Sequence, residues 1–200
     1  SDKKLDEFKK YSNIPIINGL SPLSHPTQVL SDIFTIEEIK RKSISKLKLC
    51  WIGDANNNMM NSLIEACITF SVSLNIACPK DYQPNKNLTF LIKKQKGKIK
   101  IFNKKEKAVK NSDVVMTDKI ISLNDKVNKK KKLKSFKNFK VDTKTMNLAK
   151  KDAIFLHCLP RGNEVSEEVF FGKQSKVWQQ ALNRVYVQKS ILLYCFGKLR

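Results

Sequence analysis

From residue 14 to the end of the chain, short apolar runs of strand length alternate with segments whose apolar residues recur at helical spacing. That alternation constrains the fold more than any single motif. Strands are predicted at 14–19 (IPIING), 47–54 (LKLCWIGD), 73–79 (SLNIACP), 98–102 (KIKIF), 113–118 (DVVMTD) and 152–159 (DAIFLHCL). Between them, helices are predicted at 25–40, 57–72, 87–95 and 105–112, and a long one closes the chain at 176–196. In the first of these, Val29, Leu30, Ile33, Phe34 and Ile36 fall on the face expected to be buried, and Pro26 is tolerated in the first turn. Leu5, Phe8 and Tyr11 place one more helix at the start of the chain. Strands joined by helices of this length need crossover connections, so the expected fold class is α/β: a doubly wound, mostly parallel open sheet with helices on both faces.

In such a sheet, ligands bind in the crevice beyond the carboxyl ends of the strands. The polar clusters NGLSPLSHP, GDANNN, TDKIIS and HCLPR each follow a predicted strand, so all four are expected to converge there. None contains G-x-G-x-x-G or G-x-x-x-x-G-K-[ST], which removes the main support for a dinucleotide or P-loop site.

The five cysteines are odd in number and form no Cys-x-x-Cys pair, and four of them sit inside apolar runs. They are read as small hydrophobes in a reducing compartment, against a disulfide framework or a structural zinc. No apolar stretch reaches the roughly 18 residues a membrane span needs. A cytoplasmic protein with no membrane partner is expected. The formal net charge of +21 comes from lysines scattered over many segments. That scatter points to a solvated surface rather than a nucleic-acid site, and the run KVNKKKKLKSFKNFK is expected to form a solvated helix face, with Phe136 and Phe139 either packed inward or free to stack on bases.

His25 and Gln28 lie three apart at a helix start, where they share a face with the free N–H groups of the terminus, an arrangement suited to a carbonyl oxygen or an anion. Asp118 can hold an amine by charge or take a proton from it, and Asn57 and Ser122 can bind polar groups of the same ligand. Cys158 meets the crevice at the end of the last strand. Its neighbour His157 points to the opposite face, so covalent thiol catalysis with His157 as base is disfavoured. Arg184, on the final helix, can reach a phosphate.

PIINGLSPLSHPTQVLSDIFTI, CWIGDANN, VVMTDKIIS, FLHCLPRGNEVSEEVF and LNRVYVQKSIL occur in the order, and at about the spacing, of the second half of the ornithine carbamoyltransferases. The chain resembles that family over essentially its whole length. His-Cys-Leu-Pro and Trp-Ile-Gly-Asp-x-Asn-Asn set it apart from the sister aspartate carbamoyltransferases. The resemblance implies transfer of a carbamoyl group from carbamoyl phosphate to the δ-amine of L-ornithine, giving citrulline and phosphate in arginine metabolism, with no metal or other cofactor. It further implies carbamoyl phosphate binding by His25, Pro26, Thr27, Gln28, Cys158, Leu159 and Arg184, and ornithine binding by Asn57, Asp118, Ser122 and Leu123. Asp118 and Cys158 are the implied catalytic pair. By the same resemblance, residues 1–20 connect to an amino-terminal domain, 21–175 form the ornithine-binding domain, and 176–200 pack back on the first domain. A homotrimer is the implied assembly.

Two departures from the family pattern stand out. Where the family usually has Thr-Asp-x-Trp-x-Ser-Met-Gly, this chain has Thr117 to Asn124 reading TDKIISLN. That segment is the family's mobile loop, so its changes bear on acceptor choice, and putrescine, an acylated ornithine or aspartate are alternative acceptors. The family's Ser-Thr-Arg-Thr-Arg phosphate loop has no match in these residues, so the chain is expected to be one half of an enzyme and inactive alone. A non-catalytic basic binding module is the remaining alternative.

Overall fold

The computed structural model describes residues 2–95, 97–121 and 128–198. In chain order, α1 (Asp2–Tyr11) leads through an irregular segment to α2 (Pro26–Lys40), then β1 (Lys48–Ile52), α3 (Asn58–Thr69) and β2 (Ser73–Ala77). There follow α4 (Lys86–Lys93), β3 (Ile99–Phe102), α5 (Lys105–Val109) and β4 (Val114–Thr117). The remainder comprises α6 (Lys129–Ser135), α7 (Thr143–Met146), β5 (Ile154–His157), α8 (Glu167–Phe170) and α9 (Val177–Cys195).

The five strands form one parallel sheet in the order β3-β2-β1-β4-β5. Register aligns Trp51 of β1 with Ile76 of β2 on one side and Met116 of β4 on the other, and Thr117 with His157 of β5. Side chains alternate between faces with period two. Leu49, Trp51, Leu74, Ile76, Met116 and Leu156 join Val29, Ile36, Met60 and Leu63 of α2 and α3 in one core, while Cys50, Ile52, Val115 and Phe155 join Val109, Phe139 and Phe170 in another. Both faces are therefore covered, which is why the strands read as unbroken apolar runs.

Three expectations need correction. Residues 14–19 form no strand: Ile14 is 74% exposed, Pro15 has no N–H to give a ladder, and both sides of β1 are already taken by β2 and β4. The segment is held instead by side chains, Asn18 Nδ2 donating to Ser24 Oγ at 2.9 Å and Thr27 Oγ1 to the Gly19 carbonyl at 2.9 Å.

The helix expected at 25–40 forms, but Leu30 and Phe34 are exposed. Its buried set is largely polar, comprising Thr27, Gln28, Ser31, Asp32 and Thr35 beside Val29 and Ile36. The reason is its neighbour: α2 packs along α9, and that seam is hydrogen-bonded, with Asn183 Nδ2 donating to Thr35 Oγ1 at 3.0 Å and Gln180 Nε2 to Asp32 Oδ1 at 2.7 Å.

The lysine run does not lie wholly in solvent. It forms α6, and Lys132 is buried there. Phe136 and Phe139 pack inward, their ring centroids 6.1 Å apart, which leaves neither available for stacking on bases. All five cysteines are free thiols.

Candidate active site

Chain order reverses across β1, from which β2 and β3 extend one way and β4 and β5 the other. Beyond the carboxyl ends of these strands a cleft of about 430 Å³ opens, at the switch point where such sheets bind ligands. Four segments, within 20–28, 54–59, 118–120 and 158–160, supply residues to its wall, joined by Lys132 and Arg184. Of the residues singled out in the sequence, His25, Gln28, Asn57, Asp118, Cys158, Leu159 and Arg184 are brought together here. Ser122 and Leu123 lie outside the described residues. Pro26 opens α2 without lining the cleft, and the Thr27 hydroxyl is used on the Gly19 carbonyl.

His25 is the N-cap residue of α2, and its backbone N–H donates to Ser62 Oγ on α3 at 2.9 Å. Its ring nitrogen Nδ1 is buried without a hydrogen-bond partner. Burial, and then the nearby Arg184 guanidinium, push the imidazole pKa down to about 4, against a raising contribution from the Gly19 carbonyl. The ring is therefore neutral at physiological pH and has hydrogen-bonding capacity to offer a ligand. Gln28, three residues on, donates its Nε2 to Asp32 Oδ1 at 2.8 Å.

Gly53, directly after β1, has φ +149°, and an added Cβ there would lie 3.3 Å from Thr117 Oγ1. This close approach of β1 to β4 needs glycine. Trp51 Nε1 donates to the Asp54 carbonyl at 3.1 Å, fixing the turn that follows. Asn57 caps α3 by accepting the Met60 N–H on Oδ1 at 2.8 Å. Its amide NH₂ remains for the cleft.

Asp118 follows β4 and accepts the Lys119 N–H on Oδ1 at 2.7 Å. Burial is the largest influence on this carboxyl and raises its pKa; Glu164 and Asp54 push the same way, while the Lys119 N–H and His157 oppose. Asp54 shares the wall and pairs with Lys132 Nζ at 2.7 Å. Burial likewise holds the Cys158 thiol well above its ordinary pKa, with Asp118 and Asp32 adding to the effect and Arg184 opposing. Cys158 is thus a neutral thiol rather than a nucleophilic thiolate.

His157 turns away from the cleft, as strand alternation requires. Its Nε2 meets Glu164 Oε1 at 2.9 Å, its Nδ1 contacts the Cys158 carbonyl, and Phe155 and Phe170 flank the ring. Glu164 also accepts the Gly162 N–H. Together these bonds close the loop after β5 and hold Cys158 and Leu159 at the cleft.

Asp54, Lys132 and Asp32 were not singled out in the sequence. Asp54 stood in a quoted cluster, and Lys132 was hidden among identical neighbours. Asp32 carried one usable signal, its position one helical turn after Gln28.

A doubly wound sheet carrying neutral hydrogen-bonding groups, carboxylates and a guanidinium around one switch-point cleft defines an α/β protein with a site for small polar metabolites. The chain belongs to the aspartate/ornithine carbamoyltransferase family. The family model for the Asp/Orn binding domain matches residues 45–195, and that for the carbamoyl-P binding domain matches residues 1–38. Among curated relatives, the ornithine carbamoyltransferase of Staphylothermus marinus is 41% identical over 95% of this chain and 62% of its own length. That of Ruthia magnifica is 43% identical over 97% of this chain and 64% of its own. The chain thus spans somewhat less than two thirds of these relatives. Among solved structures, the anabolic ornithine carbamoyltransferase of Campylobacter jejuni superposes with a TM-score of 0.90 at 41% identity, covering 98% of this chain and 66% of that one. The Pyrococcus furiosus ornithine carbamoyltransferase gives 0.89 at 34% identity, covering 99% and 64%.

Proposed function

We propose that the protein of which these residues are part transfers the carbamoyl group of carbamoyl phosphate to the δ-amine of L-ornithine, forming citrulline and phosphate. The observation that carries this reading is the meeting of His25, Gln28, Asn57, Asp118, Cys158, Leu159 and Arg184 in the wall of one cleft.

His25 and the N–H groups of the α2 terminus polarise the carbamoyl carbonyl, and Arg184 meets the phosphate end. Asn57 and Asp118 hold the amino acid, together with Ser122 and Leu123. The Cys158 thiol and the Leu159 backbone orient the amine where the two substrates meet. The neutral amine adds to the carbonyl carbon, the C–O bond to phosphate breaks, and the departing phosphate takes up the proton that the amine nitrogen gives up. Holding both partners in line contributes much of the rate in such reactions.

A cytoplasmic trimer serving arginine biosynthesis is part of the same reading. Among the described residues no helix is long and apolar enough to cross a membrane. The exposed apolar side chains of Leu30, Phe34, Tyr186 and Tyr194 along α2 and α9 support docking of α9 on the carbamoyl phosphate domain.

The test is citrulline formation by the protein expressed from its complete gene, with putrescine, aspartate and an acylated ornithine as parallel acceptors. Ornithine-dependent product is expected. Product only with another acceptor, or with none, refutes the reading, and sedimentation of the same preparation reads the assembly.

A further inference from the structure

Asp32 lies fully buried one turn after Gln28 on α2. Its Oδ1 accepts two amide hydrogens, from Gln28 Nε2 at 2.8 Å and from Gln180 Nε2 of α9 at 2.7 Å. Gln180 in turn accepts the His157 N–H on Oε1 at 3.0 Å. One carboxylate oxygen therefore ties the start of α2, the start of α9 and the end of β5 together. Asp32 Oδ2 is buried with no hydrogen-bond partner. A buried carboxylate with half its acceptors unused costs stability, so the seam holds it at a loss that an apolar or neutral residue would avoid.

A carboxylate only accepts hydrogen bonds, so Asp32 dictates how both amides are turned. Gln28 gives one N–H to Asp32, which fixes the amide with its NH₂ on the Asp32 side and leaves the carbonyl oxygen as the acceptor it can present to the cleft it lines. A carbamoyl group differs from an acetyl group in offering N–H donors at that place. An acceptor held toward the ligand selects for those donors, whereas a Gln28 free to turn would present its own NH₂ half the time and lose the selection.

We propose that Asp32 is a positioning residue that sets donor specificity: by fixing the Gln28 amide it makes the cleft select a carbamoyl donor over an acyl phosphate of the same shape. This rests on the carbamoyl-transfer reading above. It adds to that reading a residue that touches no substrate.

The experiment uses the protein expressed from its complete gene and compares the KM for carbamoyl phosphate with the inhibition constant of acetyl phosphate. Asp32→Ala should raise the first about tenfold, the worth of one hydrogen bond, and leave the second nearly unchanged, so that the ratio collapses while kcat falls less. A residue needed only for packing would move both constants together. Gln28→Glu sets a second carboxylate against Asp32 and should weaken carbamoyl phosphate binding; adding Asp32→Asn restores a donor–acceptor pair and should recover most of the loss. If Asp32→Ala does not fold, this rescue decides alone. An unchanged ratio, or a double variant no better than Gln28→Glu, overturns the proposal while citrulline formation by the wild type still stands. Absence of citrulline formation by the wild type instead removes the underlying reading, and this proposal with it.

Discussion

Lys132 and Asp54 form an ion pair at 2.7 Å in the wall of the cleft, with only 5% and 6% of their side chains exposed. The pair joins α6 to the end of β1, and the ammonium also lies 5.7 Å from the centroid of the Tyr82 ring. Both charges have lost most of their hydration, so removing Lys132 leaves the buried Asp54 carboxylate without its ion-pair partner. Lys132→Met should therefore destabilise the fold by about 3–5 kcal/mol, and adding Asp54→Asn should recover a good part of that. Thermal unfolding of the two variants beside Lys131→Met, an exposed neighbour, checks this. Equal losses for Lys131 and Lys132 would show that the pair contributes nothing.

His25 is kept neutral by its surroundings. Because its pKa is depressed to about 4 from 6.5, the unfolded chain binds more protons than the folded one between those values. Its contribution to stability is present above pH 6.5 and is lost as pH falls through 4. The chain has only two histidines, so a proton NMR titration resolves them, with His25→Ala assigning the signal. A midpoint near 6.5 would contradict the buried, Arg184-facing ring.

Asp32 has the opposite sign. Burial raises its pKa to about 6 from 3.8, although the N–H groups of Gln180 and Gln28 work against it. The folded state thus holds the extra proton, and the stability this contributes is full below pH 3.8 and lost as pH rises through 6. Asp32→Asn should gain on the wild type by roughly 3 kcal/mol between pH 3.5 and 7, read from denaturant midpoints at each pH. A difference that stays flat would mean the carboxyl is not charged at a cost.

The strands from 47 onward were legible because both faces of the sheet are covered, which turns each strand into an apolar run bounded by polar residues. The same rule misled at 14–19, whose isoleucines are apolar yet exposed. Periodicity also misread α2, since it counts apolar residues and the α2–α9 seam is built from glutamine, aspartate, threonine and asparagine. Within the site, His25, Gln28, Asp118 and Cys158 announced themselves by sitting at predicted strand or helix ends. Lys132 could not, because in a run of four lysines only tertiary packing decides which one turns inward.

Cys158 should react slowly. Its thiol is held protonated by burial and by the carboxylates of Asp118 and Asp32. At pH 8, iodoacetamide should label it well below the rate of an unstructured peptide thiol, as read by mass spectrometry of the Cys158 peptide. In the proposed reaction Cys158→Ala should then raise the KM for ornithine more than it lowers kcat. Fast alkylation, or complete loss of turnover, would restore the nucleophilic reading.

Glu164 decides whether the loop after β5 presents Cys158 and Leu159 or lets them drift. Burial acts to raise its pKa, but the hydrogen bonds from His157 and Gly162 outweigh this and hold it below 4.5. Its contribution to stability is therefore present above pH 4.5 and lost as pH falls through the lowered value. Glu164→Ala leaves the buried His157 Nε2 without a partner and frees the Gly162 N–H, which should cost about 1–3 kcal/mol. The larger consequence falls on function, because a loop lined up with both substrates affects both. In the carbamoyl-transfer reading, the KM values for carbamoyl phosphate and ornithine should rise together, in contrast to the selective effect expected at Asp32. Glu164→Gln keeps an acceptor for the same two groups and should lie between alanine and wild type. If alanine lowers the melting temperature without moving either KM, the His157–Glu164 contact is a fastening of the fold alone, and the position of Cys158 is set by β5 itself.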